Sequence, residues 1–382
     1  MFNSLRKTYR EWKGLQAFKR LPQHQRQLVF YSEGRGYWTY FESVFEALRA
    51  EYAQSVIYVT SAEDDPILLS PPEGLLAFYV GEGSMRTLFF STLDVQVLLM
   101  TMPDLQSFHI KRSPCPVHYV YLHHSIVSTH MIYREAAFDH FDSILCVGPH
   151  HVLETRAREQ MAALPEKTLV EHGYGRLDAI LREGNCGSLA RSPGQPAQVL
   201  VAPTWGDNGL LELHGVEVIQ PLIQAGFRVV LRPHPRTRKL RPDVLEAIVS
   251  HFHGEPLFHL DEDGDARKSL IESDLMVSDW SGAALEFSLG LERPTLFVDV
   301  ARKILNPAYE AISHEPLEAA IREQVGLILS EHELASLGLK ATELIHNARQ
   351  WQMAIRTARE RWVFNSGKSG SAAAAHLISL LN

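Results

Sequence analysis

Short β-rich runs alternate with helical stretches along most of the chain, and this alternation limits the possible folds more than any other feature. The runs typical of strands in the first half are residues 28–32, 55–60, 75–80, 95–100, 118–122, 143–147 and 168–170. Helical or loop segments of roughly 10 to 20 residues separate most of them, which indicates βαβ units. The sequence therefore predicts an α/β fold with a mainly parallel sheet.

A stretch rich in Gly, Pro and Ser at residues 182–198 divides the chain and is typical of a linker. After it the alternation restarts, with runs at residues 198–202, 227–231, 275–278 and 295–298. The predicted segments are a basic amphipathic helix (1–26), an N-terminal Rossmann-like domain (27–185), a C-terminal Rossmann-like domain (195–345) and C-terminal helices (346–382). Two such domains form a cleft, and ligands bind there at the carboxyl ends of strands.

Composition excludes several classes of protein. Hydrophobic residues make up 45% of the chain and charged residues 21%, as in ordinary globular proteins. No apolar run reaches the length of about 18 residues that a membrane span needs. The net charge of −8 argues against nucleic acid as a partner. Three cysteines without a Cys-x-x-Cys pair, and no signal-peptide pattern, favour a cytoplasmic protein with reduced thiols.

The first 26 residues carry a charge opposite to that of the whole chain. They hold seven basic residues against one acidic residue, a net charge of +6. Phe2, Leu5, Tyr9 and Trp12 recur at helical spacing and form one apolar face. A helix over residues 1–20 with this pattern either lies on an anionic membrane surface or docks its apolar face on the body of the protein.

Three strands of the second half are each followed by residues that suit phosphate binding. Pro-Thr-Trp-Gly-Asp at 203–207 follows the first, Arg-Pro-His-Pro at 232–235 the second and Asp-Trp-Ser-Gly at 279–282 the third. Because the carboxyl ends of parallel strands meet at one edge of a sheet, we expect these segments to lie close together.

The chemistry of these residues is that of a nucleoside diphosphate site. Ser281 and Gly282 at a helix start offer backbone N–H groups, a hydroxyl and the positive end of the helix dipole. Arg232 adds a fixed cation and His234 a titratable donor. Each residue alone also has a structural interpretation, such as Asp279 or Ser281 as a helix cap. Their coincidence at three strand ends favours the site.

With these segments in view, the chain resembles the CDP-glycerol glycerophosphotransferases, the teichoic-acid primases and polymerases. The resembling segments are Ala-Pro-Thr-Trp at 202–205, Arg-Pro-His-Pro at 232–235, Val-Ser-Asp-Trp-Ser-Gly-Ala-Ala-Leu-Glu-Phe at 277–287, Leu-His-His-Ser at 122–125, Gly-Tyr-Gly-Arg-Leu-Asp at 173–178 and Phe-Asn-Ser-Gly-Lys-Ser at 364–369. The resemblance covers residues 120–381 and implies a GT-B fold, in which two Rossmann-like domains have parallel sheets facing a central cleft.

The resemblance also implies roles for individual residues. His124 corresponds to the family's proposed catalytic base, and His234 assists catalysis. Arg232, His234, Ser281 and Gly282 would bind the donor phosphates. Thr204, Asp279 and Glu286 would contact the nucleotide, although Glu286 is equally interpretable as an ordinary helix carboxylate.

Two departures from the family pattern bear on the substrates. The family's His-Gly-Thr-Pro-x-Lys is here His124-Ser-Ile-Val-Ser-Thr, without the Pro and the Lys. Trp280 and Gly282 stand where the family has Tyr and Ser. The acceptor, and the glycerol part of the donor, are therefore left open. A histidine pair at a strand end, such as His123 and His124, is more often loop structure than a catalytic group; of the two, His124 is favoured as the base because it corresponds to the family's histidine.

The sequence therefore predicts a transferase that moves glycerol phosphate, or a related polyol phosphate, from a CDP-linked donor to a hydroxyl of a glycan or lipid-linked saccharide, releasing CMP. Such an enzyme would be cytoplasmic or peripheral on the inner face of the cell membrane. One alternative is a GT-B glycosyltransferase that uses a CMP- or nucleoside-diphosphate-linked sugar for surface polysaccharide synthesis. Another is a non-catalytic, transferase-like binding protein.

Neither a metal nor another cofactor is predicted. Asp-Glu-Asp at 261–263 lies in an acidic loop with no strand before it that would match a metal-dependent transferase. The histidines at 251, 253 and 259 lack the spacing of helical metal ligands.

Overall fold

The computed structural model describes residues 2–108, 110–186, 194–262 and 266–382. The chain divides into two compact units. Unit 1 comprises Met1–Ser125, Tyr133–Asp178 and Val363–Asn382, and unit 2 comprises Ile126–Ile132 and Ala179–Trp362. Residues 187–193 of the predicted linker lie outside the described residues, as do residues 263–265 of the acidic loop.

In unit 1 the described residues form a seven-stranded sheet in which all neighbouring strands are parallel. The strands are β1 (Leu28–Ser32), β2 (Val56–Thr60), β3 (Leu75–Tyr79), β4 (Val97–Met100), β5 (His118–Leu122), β6 (Ser143–Cys146) and β7 (Thr168–Glu171). Their order in the sheet is β3-β2-β1-β4-β5-β6-β7. Strands β1, β2, β4 and β6 are buried along their whole length, which is why they read as continuous apolar runs.

The described residues of unit 2 form a second parallel sheet, of six strands. These strands are β8 (Gln198–Val201), β9 (Arg228–Leu231), β10 (Phe258–Leu260), β11 (Leu275–Ser278), β12 (Thr295–Asp299) and β13 (Gly326–Ser330). Their order is β10-β9-β8-β11-β12-β13. The two sheets confirm the predicted α/β class and all eleven predicted strands. The sequence analysis missed β10 and β13, which are the two edges of the second sheet and bury fewer residues.

Helices connect most of the strands. In chain order they are α1 (Phe2–Arg20), α2 (Trp38–Tyr52), α3 (Pro66–Leu69), α4 (Ser84–Ser91), α5 (Thr129–Ile132), α6 (Pro149–Met161), α7 (Gly175–Cys186), α8 (Leu210–Gln224), α9 (Pro235–Leu240), α10 (Pro242–His251), α11 (Ala266–Ile271), α12 (Gly282–Leu291), α13 (Leu317–Ala320), α14 (Arg322–Val325), α15 (Leu337–His346), α16 (Ala348–Trp362) and α17 (Ser369–Leu381), with short 3₁₀ helices at Gln23–Gln25, Tyr309–Ala311 and Glu331–Ser336. Within the described residues, no helix is both long and apolar enough to cross a membrane.

The units divide the chain differently from the segments proposed from the sequence. Helix α17 packs on α2 and belongs to unit 1, whereas α16 packs on α12 and α14 and belongs to unit 2. The short segment Ile126–Ile132 also belongs to unit 2. Each of these assignments follows from side-chain burial between elements distant in sequence, which local patterns do not encode.

Helix α1 docks part of its surface on unit 1. Leu15 and Phe18 are fully buried against α4 and the sheet, and Phe18 contacts the ring of Phe89 edge-on. Tyr9 and Trp12 remain 62% and 45% exposed and stack on each other. The apolar face predicted from the sequence is therefore not the face that docks, although the side chains of residues 2–5 are not described.

The C-terminal helix α17 packs on the face of the first sheet opposite to α1. Ala373, Ala374 and Leu377 of α17 lie in the same apolar cluster as Phe41 and Val44 of α2. Its N-terminus is held by Asp178, as described below for the segments that the family resemblance singled out. The sheet of unit 1 thus has apolar clusters on both faces.

Candidate active site

His124 lies two residues beyond the carboxyl end of β5 in unit 1. Its Nδ1 is 2.9 Å from the carbonyl oxygen of Thr101, which follows β4, and 3.2 Å from the hydroxyl of Tyr121. A carbonyl oxygen can only accept, so Nδ1 carries the proton. In the neutral ring Nε2 is then the acceptor, and the hydroxyl of Tyr133 lies 3.2 Å from it.

Burial keeps the His124 ring neutral. It lowers the pKa of His124 to about 4, although the hydrogen bond to the Thr101 carbonyl acts in the opposite direction. The rings of Tyr37 and Tyr40 lie 5.7 and 6.1 Å from the imidazole. At pH 7 the side chain is therefore a neutral imidazole with a basic Nε2, held in one orientation by its backbone partner.

The neighbouring His123 has a different environment. Its side chain is 2% exposed and stacks on His151 with ring centroids 3.8 Å apart. Burial, together with the nearby histidines, lowers its pKa well below the usual value. His123 is part of the packed interior of unit 1, whereas His124 has a neutral ring with an acceptor Nε2.

A partly buried carboxyl group that was not predicted from the sequence contacts Tyr37, whose ring lies 5.7 Å from that of His124. Glu33 follows β1, and the hydroxyl of Tyr37 hydrogen-bonds to it. Burial raises the pKa of Glu33 to about 7. The signal in the sequence was its position at a strand end, but the turn Glu33-Gly-Arg-Gly36 carries no motif that distinguishes it from an ordinary turn.

In unit 2, Asp279 organises the loop after β8. Its carboxylate accepts hydrogen bonds from the backbone N–H of Thr204 at 2.7 Å and of Leu210 at 3.3 Å. The side chain is 1% exposed, and burial raises the pKa of Asp279 to about 6. Asp279 thus holds residues 204–210 in place and fixes the conformation of the loop after β8.

His234 is the N-cap of the short helix α9 and lies three residues beyond the end of β9. Its Nδ1 accepts a hydrogen bond from the backbone N–H of Arg236 at 3.1 Å. The proton of the neutral ring is therefore on Nε2, which is a donor. Burial lowers the pKa of His234 to about 4, and the nearby charges of Lys303 and Arg236 act in the same direction. His124 and His234 consequently have opposite tautomers, one suited to accept a proton and the other to donate a hydrogen bond.

Cations surround Trp205 in the loop after β8. The Nζ of Lys303 lies 3.8 Å from the centre of the Trp205 ring, and the guanidinium of Arg236 lies 4.4 Å from it. Lys303 also donates a hydrogen bond to the Thr204 hydroxyl at 3.1 Å. The ring of His234 is 6.1 Å away. The ends of β8, β9 and β11, which the sequence predicted to lie close together, thus converge with a lysine from beyond β12.

The remaining predicted residues hold their local structure. The Ser281 hydroxyl caps α12 by accepting from the N–H of Ala283 at 3.3 Å, and Gly282 is the first residue of that helix. Glu286 is buried in α12, whereas the alternative interpretation was an ordinary, partly exposed helix carboxylate. Arg232 donates to the hydroxyl of Ser269 at 3.3 Å.

Trp280, one of the departures from the family pattern, is 5% exposed. Its indole N–H donates to the carbonyl of Val300 at 2.8 Å, and the guanidinium of Arg322 lies 3.6 Å from its ring centre. Trp280 therefore holds the loop after β12 through its hydrogen bond to Val300, and its ring packs against the guanidinium of Arg322. Among the described residues, no cluster of three or more His, Cys, Asp or Glu has the arrangement of a metal site.

A family model described as CDP-glycerol:poly(glycerophosphate) glycerophosphotransferase matches residues 15–302, well over half of the chain. The chain belongs to this family. This glycerophosphotransferase-like protein is thus a transferase, and Lys303 lies one residue beyond the matched region. No sequence among the curated proteins matches it significantly.

Solved structures show the same fold. The glycerophosphotransferase-like chain is similar to a variant of the wall teichoic acid polymerase TagF, with 15% identity, a TM-score of 0.61 and coverage of 100% of this chain and 98% of that one. A second TagF structure, soaked with CDPG, matches with 15% identity, a TM-score of 0.60 and the same coverage.

A UDP-GlcNAc 2-epimerase from Neisseria meningitidis, bound to UDP-GlcNAc, matches with 12% identity and a TM-score of 0.57, covering 93% of this chain and 99% of that chain. At these identities the likeness shows the fold alone. That fold is GT-B, as the sequence resemblance implied.

Proposed function

We propose that the protein transfers glycerol phosphate, or a related polyol phosphate, from a CDP-linked donor to a hydroxyl of a glycan or lipid-linked saccharide, with release of CMP. Membership of the glycerophosphotransferase family supports the donor class. The observation that carries the proposal is the difference in tautomer: His124 has an acceptor Nε2, which the Tyr133 hydroxyl approaches at 3.2 Å, and His234 has an Nε2–H donor.

In the proposed reaction, Nε2 of His124 accepts the proton of the acceptor hydroxyl. The hydroxyl oxygen attacks the phosphorus that carries the glycerol, and the bond from that phosphorus to the bridging oxygen of CMP breaks. The electron pair leaves with CMP. Because the ring is neutral at pH 7, no proton has to be removed from His124 before the reaction begins.

The residues of unit 2 act on the donor in this proposal. His234 donates its Nε2–H to a phosphate oxygen, and Arg232 contributes a positive charge. Ser281, Gly282 and the start of α12 bind phosphate as a helix N-terminus does. Thr204, Asp279 and Glu286 are proposed to position the nucleotide, with Asp279 acting through the loop that it holds.

Calorimetric titration of the purified protein with CDP-glycerol, CDP, CMP, UDP and GDP tests the donor class. We expect the cytidine diphosphates to bind most tightly and His234→Ala to weaken their binding about tenfold, since one hydrogen bond to a charged group is lost. The control is His332→Ala, because His332 is exposed in the same unit. A preference for UDP or GDP would support a sugar transferase, and absence of all nucleotide binding would contradict the proposal.

Substitution of His124 tests the base. We expect His124→Ala to lose at least about 100-fold in transfer rate, the usual scale of general base catalysis, while CDP-glycerol binding stays nearly unchanged. His140→Ala is the matched control, since His140 is exposed in the same unit. Transfer would be measured as acceptor-dependent release of CMP and as the mass increment on the acceptor. Comparable turnover in the His124 variant would defeat the assignment.

Contact of α1 with an anionic membrane surface belongs to the same proposal. The exposed stacked rings of Tyr9 and Trp12 support it, as do the exposed cations Lys7 and Lys13 on the same helix. We expect binding to phosphatidylglycerol vesicles that weakens at high salt and falls in a Tyr9→Ser/Trp12→Ser variant. Leu339→Ser, at an exposed apolar residue of unit 2, is the control. If the variant and the parent sediment with the vesicles to the same extent, the proposed contact between α1 and the membrane is wrong.

A further inference from the structure

We infer that Lys303 is a ligand of the donor diphosphate, a role that rests on the proposed function. Lys303 follows β12, and its Nζ lies between the Thr204 hydroxyl and the Trp205 ring. These two residues belong to the loop that Asp279 holds at the end of β8. The ammonium is thus placed at the same sheet edge as His234.

Neither of the two cations beside Trp205, Lys303 and Arg236, has a salt-bridge partner among the described residues. The facing acid, Asp279, is already engaged by two backbone N–H groups. Glu212 accepts from the Thr237 hydroxyl. Two cations and a histidine donor without a paired anion form a site that a diphosphate completes.

The protonation of Lys303 depends on burial and on the charges around it. Burial lowers the pKa of Lys303 to about 7; the charge of Arg236 acts in the same direction, while Asp279 and Glu212 oppose it. The neighbouring His234 stays neutral above pH 6 because its pKa is about 4. A bound diphosphate stabilises the charged ammonium, so binding takes up a proton wherever the free amine is partly neutral.

The test is calorimetric titration with CDP-glycerol, whose diphosphate has no proton to lose between pH 7 and 9. In the parent protein we expect affinity to fall as the pH rises above 7, by up to about tenfold per unit, because the neutral amine must be protonated. Lys303→Met should bind about 10- to 100-fold more weakly at pH 7 and lose this pH dependence. Lys303→Arg should restore most of the affinity.

The controls separate this inference from a structural role and from the proposed function. Lys340→Met, at a half-exposed lysine of α15, should change nothing. Cytidine, which lacks phosphate, should bind Lys303→Met and the parent equally. If CDP-glycerol binds parent and Lys303→Met equally, the inference is wrong and the proposed function stands. If the parent instead fails to bind CDP-glycerol and yet binds pyrophosphate or another nucleoside diphosphate more tightly than Lys303→Met does, the proposed function is wrong and the inference stands. If no phosphate ligand binds, both are wrong.

Discussion

At the scale of single residues, the hydrogen-bond partner of each histidine sets its chemistry. The Thr101 carbonyl forces the proton of His124 onto Nδ1, whereas the Arg236 N–H forces that of His234 onto Nε2. His172 shows the same rule outside the site. Its Nδ1–H donates to the carbonyl of Ser369 at 2.9 Å, and its Nε2 has no partner among the described residues. A proton on that buried nitrogen would be unpaired, so burial lowers the pKa of His172 to about 4.

This low pKa predicts a loss of stability in acid. The folded pKa lies below the unfolded value near 6.5, so the unfolded chain binds the proton more tightly. The stabilisation is complete above pH 6.5 and is lost as the pH falls toward 4, by about 3 kcal/mol for His172 alone. We expect His172→Gln to flatten the pH dependence of urea unfolding in this range. His332→Gln should follow the parent curve; a variant curve as steep as the parent's would contradict the assignment.

At the scale of elements, α1 shows how close backbone contact decides which face of a helix is buried. Gly14 faces β3 so closely that a Cβ there would overlap the carbonyl oxygen of Tyr79. The absence of a side chain lets Leu15 and Phe18 reach the apolar cluster beside the sheet. Phe2, Leu5, Tyr9 and Trp12 have a regular helical spacing, but periodicity contains no information about where the body of the protein permits this approach.

Substitution of Gly14 tests this account. We expect Gly14→Ala to push α1 away from β3 and to expose Phe18, with increased protease cleavage between residues 20 and 27. The thermal midpoint should fall, because burial of Leu15 and Phe18 stabilises by several kcal/mol (about 2 kcal/mol each). Ala17→Gly, at an exposed position of the same helix, serves to measure the effect of helix propensity alone. Undiminished protease resistance in Gly14→Ala would show that the contact is not tight.

At the scale of the whole molecule, two segments distant in sequence form one joint. The Asp178 carboxylate accepts hydrogen bonds from the N–H of Gly367 at 2.6 Å and from the N–H and hydroxyl of Ser369 at 2.9 and 2.6 Å. Gly173, with φ of +99°, leaves room for the carbonyl of Phe364. The segments at 173–178 and 364–369, which the resemblance identified separately, thus meet and fasten α17 to unit 1.

Removal of the Asp178 carboxylate should loosen this joint. We expect Asp178→Ala to destabilise unit 1 by about 3 kcal/mol, since three donors lose a charged acceptor. Hydrogen exchange of the α17 amides, measured beside urea unfolding, would locate the effect. Asp243→Ala is the control, because that exposed carboxylate forms its ion pair with Arg241 at the surface of unit 2. Unchanged protection of α17 in Asp178→Ala would contradict an architectural role for the segments.

The sequence by itself determined the two parallel-sheet units, because buried parallel strands are continuous apolar runs and their spacing requires crossovers. Strand ends in the sequence also pointed to Arg232, His234 and the Ser281 turn, and the family resemblance pointed to His124, as candidate site residues. Lys303 has no motif, and only the packing of the β12 loop brings its ammonium to Thr204 and Trp205.

The edge strands β10 and β13, the docked face of α1 and the return of α17 to unit 1 were likewise decided by tertiary structure. Each depends on which surfaces meet across tens or hundreds of residues, and burial between such surfaces leaves no local period in the chain. The tautomers of the histidines belong to the same group. Each tautomer is set by one backbone group, a carbonyl for His124 and an N–H for His234. Because almost every residue has both groups, the sequence cannot show which of them lies beside a given ring.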